Sequence, residues 1–207
     1  MMCEFIGMMF GGNVVASPTI DHYYPDQVKC KEQLVSGDIY NVDDANITAS
    51  NHFGDAHVPS RGRLDTQTMS GLAECWGSGV GDTNQWIQAD LGEVMLVTGV
   101  VTRGRASDVY IQWVTSYKVL YGETESNLEE YRVILPGNED RYSHVTNLIE
   151  PPVLARFVRI NPQTWYGAMC MTFDVIGCPN PAGKGQGGSP KGQPSYSITW
   201  YPCARFI

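Results

Sequence analysis

Positive charge, long apolar runs and closely spaced cysteine pairs are what these 207 residues have little of. Lys plus Arg number 14 against 22 Asp plus Glu, for a net charge of −8. A duplex-binding protein draws most of its affinity from phosphates that it neutralises, so this balance argues against nucleic acid as a partner. It argues equally against adhesion to anionic lipid by charge alone. No apolar stretch approaches the roughly 18 residues that cross a bilayer as a helix. The chain also lacks a G-x-S-x-G elbow, an H-E-x-x-H motif, a phosphate loop and any internal repeat, so the familiar routes to hydrolysis and nucleotide chemistry are missing.

Cysteines at 3, 30, 75, 170, 178 and 203 form no C-x-x-C pair, which is the spacing of a structural zinc site. Even in number and widely spread, they read instead as disulfides and place the chain in an oxidising, extracellular compartment. The beginning of the chain is a weaker signal. Phe5 to Ala16 is apolar, with Val14 and Ala16 placed as at a signal-peptidase site, but Glu4 stands where a basic residue belongs and four Gly or Asn residues dilute the stretch. Residues 1–29 are therefore read as a leader or linker, a degenerate signal peptide being one form of it. From Pro179 the chain becomes Gly- and Pro-rich, without a period of three, so 179–207 reads as a flexible tail within a longer, multidomain protein.

Between these ends, residues 30–178 hold 10 of the 14 basic and 19 of the 22 acidic side chains. Thr115, Tyr117, Val119 and Tyr121 alternate with Val114, Ser116, Lys118 and Leu120, and Met169 to Ile176 alternates likewise. Shorter β-branched and aromatic runs occur at 86–91, 95–102, 131–135, 145–149 and 155–160, with Gly, Pro, Asn or Asp between them. About eight short strands in one section predict an all-β fold, an antiparallel sandwich or barrel. Cys170 and Cys178, eight residues apart on one strand, are about 26 Å apart at ~3.3 Å per residue. A bridge needs Cα atoms within about 7 Å, so each must reach a distant partner. Cys30 and Cys178 bracket the section, and pairing them would tie its ends together, leaving Cys75 for Cys170. Cys3 and Cys203 are left free, paired with each other or intermolecular.

One series of motifs is more specific. Ile47-Thr48-Ala49-Ser50, Arg61-Gly62-Arg63-Leu64, Gln85 to Gly92, Val97 to Val100, Trp113 to Tyr117, Gly137 to Asp140, Pro151 to Ile160, Pro162 to Trp165 and Gly177-Cys178 occur in that order. In this, the section 30–178 resembles a coagulation factor V/VIII type C domain, or discoidin domain. The resemblance implies a distorted eight-stranded jelly-roll barrel of galactose-binding-domain-like type, with its ends joined by Cys30–Cys178. A Cys75–Cys170 bridge is similar to one in the discoidin domains of collagen-binding receptor kinases. Trp86, Leu91, Phe157, Val158 and Trp165 are expected in the core, while Arg63, Asp90, Arg156 and Arg159 are expected to pair structurally.

The resemblance also implies that ligands are bound by loops at one end of the barrel. By position these are 51–58, with His52, Phe53, Asp55, His57 and Val58; 77–83, with Asp82; and 105–112, with Arg105, Asp108, Val109, Tyr110 and Ile111. Phe53, Val58, Val109, Tyr110 and Ile111 are apolar spikes that would insert into a membrane interface or fill a partner's pocket. Arg61, Arg63, Arg103 and Arg105 are the cations nearest these loops, and Asp55, Asp82 and Asp108 oppose them. In lectin relatives an aromatic stacks on the sugar, a role for Tyr110, with His52, His57, Asp55 and Arg105 as hydroxyl partners. The expected ligand is a cell-surface or matrix protein or a glycan, galactose or fucose among the sugars, with peripheral phospholipid as the alternative.

Three further features are weighed against chemistry. His52, Asp55 and His57 form an H-x-x-D-x-H cluster with no third, distant ligand, so no metal is expected there. Glu129-Glu130 and Glu139-Asp140, if in strands, point to opposite faces and share no substrate. No cofactor and no catalysis are expected; calcium, possible in sugar-binding relatives, has no oxygen-rich ligand spacing behind it. Asn46-Ile47-Thr48 is the single glycosylation sequon.

Overall fold

The structure, a computed structural model, describes residues 30–181. The readings of 1–29, of the tail beyond 181, and of Cys3 and Cys203 lie outside the described residues. Nine strands form the domain: β1 (Glu32–Gln33), β2 (Ile47–Ala49), β3 (Trp76–Gly77), β4 (Ile87–Arg103), β5 (Trp113–Thr124), β6 (Asn127–Glu130), β7 (Leu135–Pro136), β8 (Val145–Tyr166) and β9 (Cys170–Pro179). They run in the order β1-β9-β4-β8-β5-β6, with β2 on β4, β3 on β9 and β7 on β5. Every strand pair is antiparallel. The sheet curls round one core that includes Trp76, Ile87, Tyr117, Ile149, Ile160 and Phe173. This is the distorted jelly-roll barrel, all-β in class.

Two pairs of runs that read as separate strands are single long ones. Residues 86–91 and 95–102 join in β4 across a register shift between Asp90 and Met95, and 145–149 and 155–160 join in β8. Such irregularities bend a strand without ending it, which lets one sheet wrap a closed core. The strand expected at 131–135 is displaced: β6 ends at Glu130 and only Leu135–Pro136 pairs again, with Ser116 and Tyr117. β9 departs from simple alternation, because Cys170 through Val175 are buried on both faces. It lies between β1 and β4, with Leu64 donating its N–H to the Phe173 carbonyl. Asp174 can be buried there because its carboxylate accepts the N–H groups of Val35, Ser36 and Val175.

β5 carries the shift that matters for the surface. Its inward residues are Val114, Tyr117 and Val119, because the register slips between Val114 and Tyr117. An extra residue at this slip turns Trp113 and Thr115 outward, where strict alternation would have put Thr115 inside.

Two disulfides brace the barrel. Cys30 bonds Cys178, with Cα atoms 4.8 Å apart, and Cys75 bonds Cys170 at 5.8 Å. Asp90 accepts both Nε and Nη2 of Arg156 across β4 and β8, at 2.7 and 2.8 Å. Arg159 donates to Gln88 and lies 3.9 Å from the centre of the Trp86 ring, so Trp86 is half-buried beneath a cation and the fully buried indole is Trp76.

Candidate functional site

At one end of the barrel three loops and the start of β9 enclose a cleft of about 700 Å³. Its lining includes Phe53, Ala56 and His57 from the first loop, Gly77, Ser78 and Gly79 from the second, and Arg105, Tyr110 and Gln112 from the third. The segments 71–74 and 168–170 complete it.

The first loop is held by short-range geometry. Gly54 takes a left-handed φ of 63° and leads into a 3-10 turn over Asp55–His57. Phe53 donates its backbone N–H to the Gly77 carbonyl, and Asn51 accepts from Ser78 Oγ and the Gly79 N–H, so the first two loops are tied together. Gly77 has to be small: a Cβ there would sit 2.8 Å from His57 Nδ1. His57 is half-buried, with Nδ1 3.9 Å from Cys75 Sγ and its ring edge-on to Phe53 at 5.8 Å. Burial first, and the Arg105 charge second, hold its pKa below the ordinary imidazole value. The ring is therefore neutral at physiological pH, a donor on one nitrogen and an acceptor on the other.

Arg105 supplies the floor. It is only 8% exposed, donates to Glu74 at 2.9 Å and Gln112 at 3.1 Å, and lies 3.8 Å from the centre of the Tyr110 ring. A buried Arg needs such a partner, because an uncompensated charge in this position would cost several kcal/mol (~3–5). The pair offers a ligand both donors and acceptors while adding no net charge. Of the lining, Phe53, at 67%, and Tyr110 are exposed apolar side chains; Val109, at 77%, and Ile111 are exposed on either side of Tyr110 in the third loop, and Val80 is exposed on the second.

Not every expected residue takes the expected part. Val58 is half-buried at the entry to a 3-10 turn at Pro59–Gly62, and is no spike. Asp82 does not line the cleft: it accepts from Gln85 Nε2 and the Asn84 N–H, and those bonds, Gln85 first, hold its pKa below the usual carboxylate range. Asp108 accepts the Tyr142 hydroxyl at 2.5 Å. His52 and Asp55 are exposed and do not line the cleft. Arg105 is no free cation, and the other three arginines are also engaged: Arg61 with the carbonyls of Gln67 and Ala73, Arg63 with Asp44, Arg103 with Asp65.

Among the described residues, the one cluster spaced for a metal joins His57 to Cys75 and Cys170, and both sulfurs are committed to a disulfide. Ser78 is held by Asn51 and the Val80 carbonyl, and Glu74 by Arg105, so neither is paired as a nucleophile or base. Glu139 and Asp140 lie in a turn, where Asp140 accepts from Tyr142 and Ser143. Gln112 lies in the expected loop 105–112, whereas Glu74, Leu72 and Met169 lie outside the loops expected from the sequence. The signal was there for two of them: Glu74 and Met169 flank Cys75 and Cys170, and bonding those cysteines brings their neighbours together.

A disulfide-braced jelly roll with a loop-built cleft at one end is thus the class of domain. The chain belongs to the F5/8 type C domain family, whose sequence model matches residues 46–175. It is 34% identical over 151 residues to the EGF-like repeat and discoidin I-like domain-containing protein 3 of Mus musculus, covering 67% of this chain and 31% of that one. It is 33% identical over 162 residues to lactadherin of Bos taurus, covering 72% and 37%. The chain thus spans about a third of the length of these curated relatives. Among solved structures, discoidin II of Dictyostelium discoideum superposes with a TM-score of 0.61 at 31% identity, over 65% of this chain and 56% of that one.

Proposed function

We propose that this domain is a non-catalytic recognition module acting in cell adhesion outside the cell, and that it holds a protein or glycan of the cell surface or matrix in the loop-end cleft. The observation that carries the reading is the cleft itself, a neutral Arg105–Glu74 floor under a rim that includes exposed Phe53 and Tyr110, with Val109 and Ile111 exposed on either side of Tyr110 in the same loop. Hydroxyls, amides and carbonyls of a ligand find donors and acceptors on the floor, while its apolar groups displace water from the rim. His57, neutral and half-buried, adds one donor or acceptor to the wall. The reading calls for no resident metal or cofactor, and it leaves Asn46, half-buried at the start of β2, as the site for a glycan of the protein's own.

Phospholipid is a second reading because the rim residues are shaped as spikes. Burying three or four of them would contribute roughly 1–2 kcal/mol each. Arg63, Arg103 and Arg105 are ion-paired with Asp44, Asp65 and Glu74, so of these four only Arg61, bonded to two backbone carbonyls, has no direct carboxylate partner to compete with an anionic headgroup. Liposome pelleting with and without phosphatidylserine, beside a glycan array and binding to immobilised matrix protein, separates the classes. Capture by protein or glycan, with no gain from phosphatidylserine, supports the proposal. Pelleting that depends on phosphatidylserine and on Phe53 and Ile111 replaces it with the lipid reading.

A further inference from the structure

The register slip in β5 leaves a second feature on the outer wall of the barrel, beside the cleft, whose lining includes Gln112, just before Trp113, and Ala168, two residues past Tyr166. Trp113 and Tyr166 are directly paired across β5 and β8, and their rings stack face to face, 4.4 Å between centroids and 11° from parallel. Tyr166 is 55% exposed, so the stack does not serve to bury it. On the same outer face, two residues back along β8, Thr164 shares its hydroxyl with Thr115 at 2.5 Å and with Ser116 at 2.6 Å. Three hydroxyls joined by two hydrogen bonds retain an unused O–H and several lone pairs, and Thr164 is exposed.

An aromatic plane beside a hydroxyl cluster has the chemistry of a sugar platform. The axial C–H groups of a pyranose lie flat on a ring, and the hydroxyls at its edge then need partners that both donate and accept. Residues two apart on one strand face stand about 7 Å apart, so a pyranose on Tyr166 can reach Thr164. The next charged group along this side of β5, Lys118, is bound by Glu130 at 3.0 Å. Arg141, whose backbone lies beside Trp113 at Gly104, sets its guanidinium over the Tyr142 ring at 4.9 Å, and Trp113, Tyr166, Thr164, Thr115 and Ser116 carry no charge themselves, so a neutral sugar fits the ledge better than an anionic one.

We infer that Trp113, Tyr166 and Thr164, none of which lines the neighbouring cleft, form a saccharide-binding ledge for a neutral hexopyranose unit of a glycan chain. The test is a 1H–15N NMR titration of the domain with N-acetyllactosamine, cellohexaose and mannohexaose. Trp113 fluorescence is followed in parallel, with Trp113→Phe to assign it. At least one sugar is expected to shift the Thr164, Tyr166 and Ser116 amides and to perturb the Trp113 emission. Tyr166→Ala should abolish those shifts and Thr164→Val should weaken them about tenfold, the latter serving alone if the former does not fold. Phe53→Ala with Tyr110→Ala should leave them intact, so failure of the cleft reading does not touch this one. Absence of shifts at these amides with all three sugars, or shifts that survive the ledge variants, overturns the inference.

Discussion

Single side chains at the cleft divide into those that hold it and those that meet a ligand. Phe53 is mostly exposed, so Phe53→Ala should change stability by no more than about 0.5 kcal/mol. Its loss from a bound interface should cost about 1–2 kcal/mol, near tenfold in Kd. Chemical unfolding and a binding isotherm on the same variant check the two halves. His57 makes a pH-dependent prediction. Its folded pKa lies below the unfolded value of 6.5, so its neutral form is favoured in the fold. Stability from this residue is complete above 6.5 and declines as pH falls through 6.5 towards the folded pKa, because the unfolded chain gains the proton first. The urea midpoint should therefore drop between about pH 7.5 and about pH 5.5, and His57→Gln should remove that part of the drop. At this scale the exposure of Phe53, Val109, Tyr110 and Ile111 was legible, since apolar residues in a loop stand out, whereas that of Val58 was not, because it leads into the turn at Pro59–Gly62. It did not show that Arg105 is buried, because its partner Glu74 is 31 residues away and in no motif.

At the scale of elements, the decisive events are register shifts, and these leave no mark in composition. Alternation from Thr115 to Tyr121 is visible in the sequence and holds for Tyr117 and Val119. It fails at Val114 and Thr115, where one extra residue reverses the faces and creates the outward Trp113–Tyr166 pair. The merged strands β4 and β8 were hidden for a similar reason, since Gly92 between the runs 86–91 and 95–102, and Pro151-Pro152 between 145–149 and 155–160, read as breaks and serve as bends. Asp90 also links those two strands. Arg156 holds its carboxyl below the ordinary 3.8, so the bond's contribution is present above 3.8 and is lost as pH falls through the lower, folded value. Asp90→Asn should cost about 0.5–1 kcal/mol, because the pair is partly solvated. Thermal unfolding at neutral pH and well below pH 3.8 should show the difference between wild type and variant shrinking in acid.

Over the whole molecule, the order of motifs made the barrel legible, and the long-range cysteines supply its covalent closure. Cys30–Cys178 joins residues 148 apart, which in the chain-entropy model is worth about 4–5 kcal/mol. Replacing both with Ser should lower Tm by roughly 10 °C in a domain of this size, as calorimetry would show, without altering the cleft at the other end. The acidic surplus, concentrated in residues 30–178, fits a neutral floor and engaged arginines better than a lipid headgroup site. The ligand stayed illegible because it depends on how three distant loops meet, a matter of closure and not of any local motif. The most direct test clusters the domain, so that weak single contacts add, and measures its binding to cell surfaces for wild type, Phe53→Ala with Tyr110→Ala, and Ile39→Ser, an exposed apolar change outside the cleft. The account predicts that the cleft variant loses binding tenfold or more, by about 1.4 kcal/mol at the least, while Ile39→Ser binds as wild type does. Equal binding by all three, with the variants shown to be folded, would contradict it.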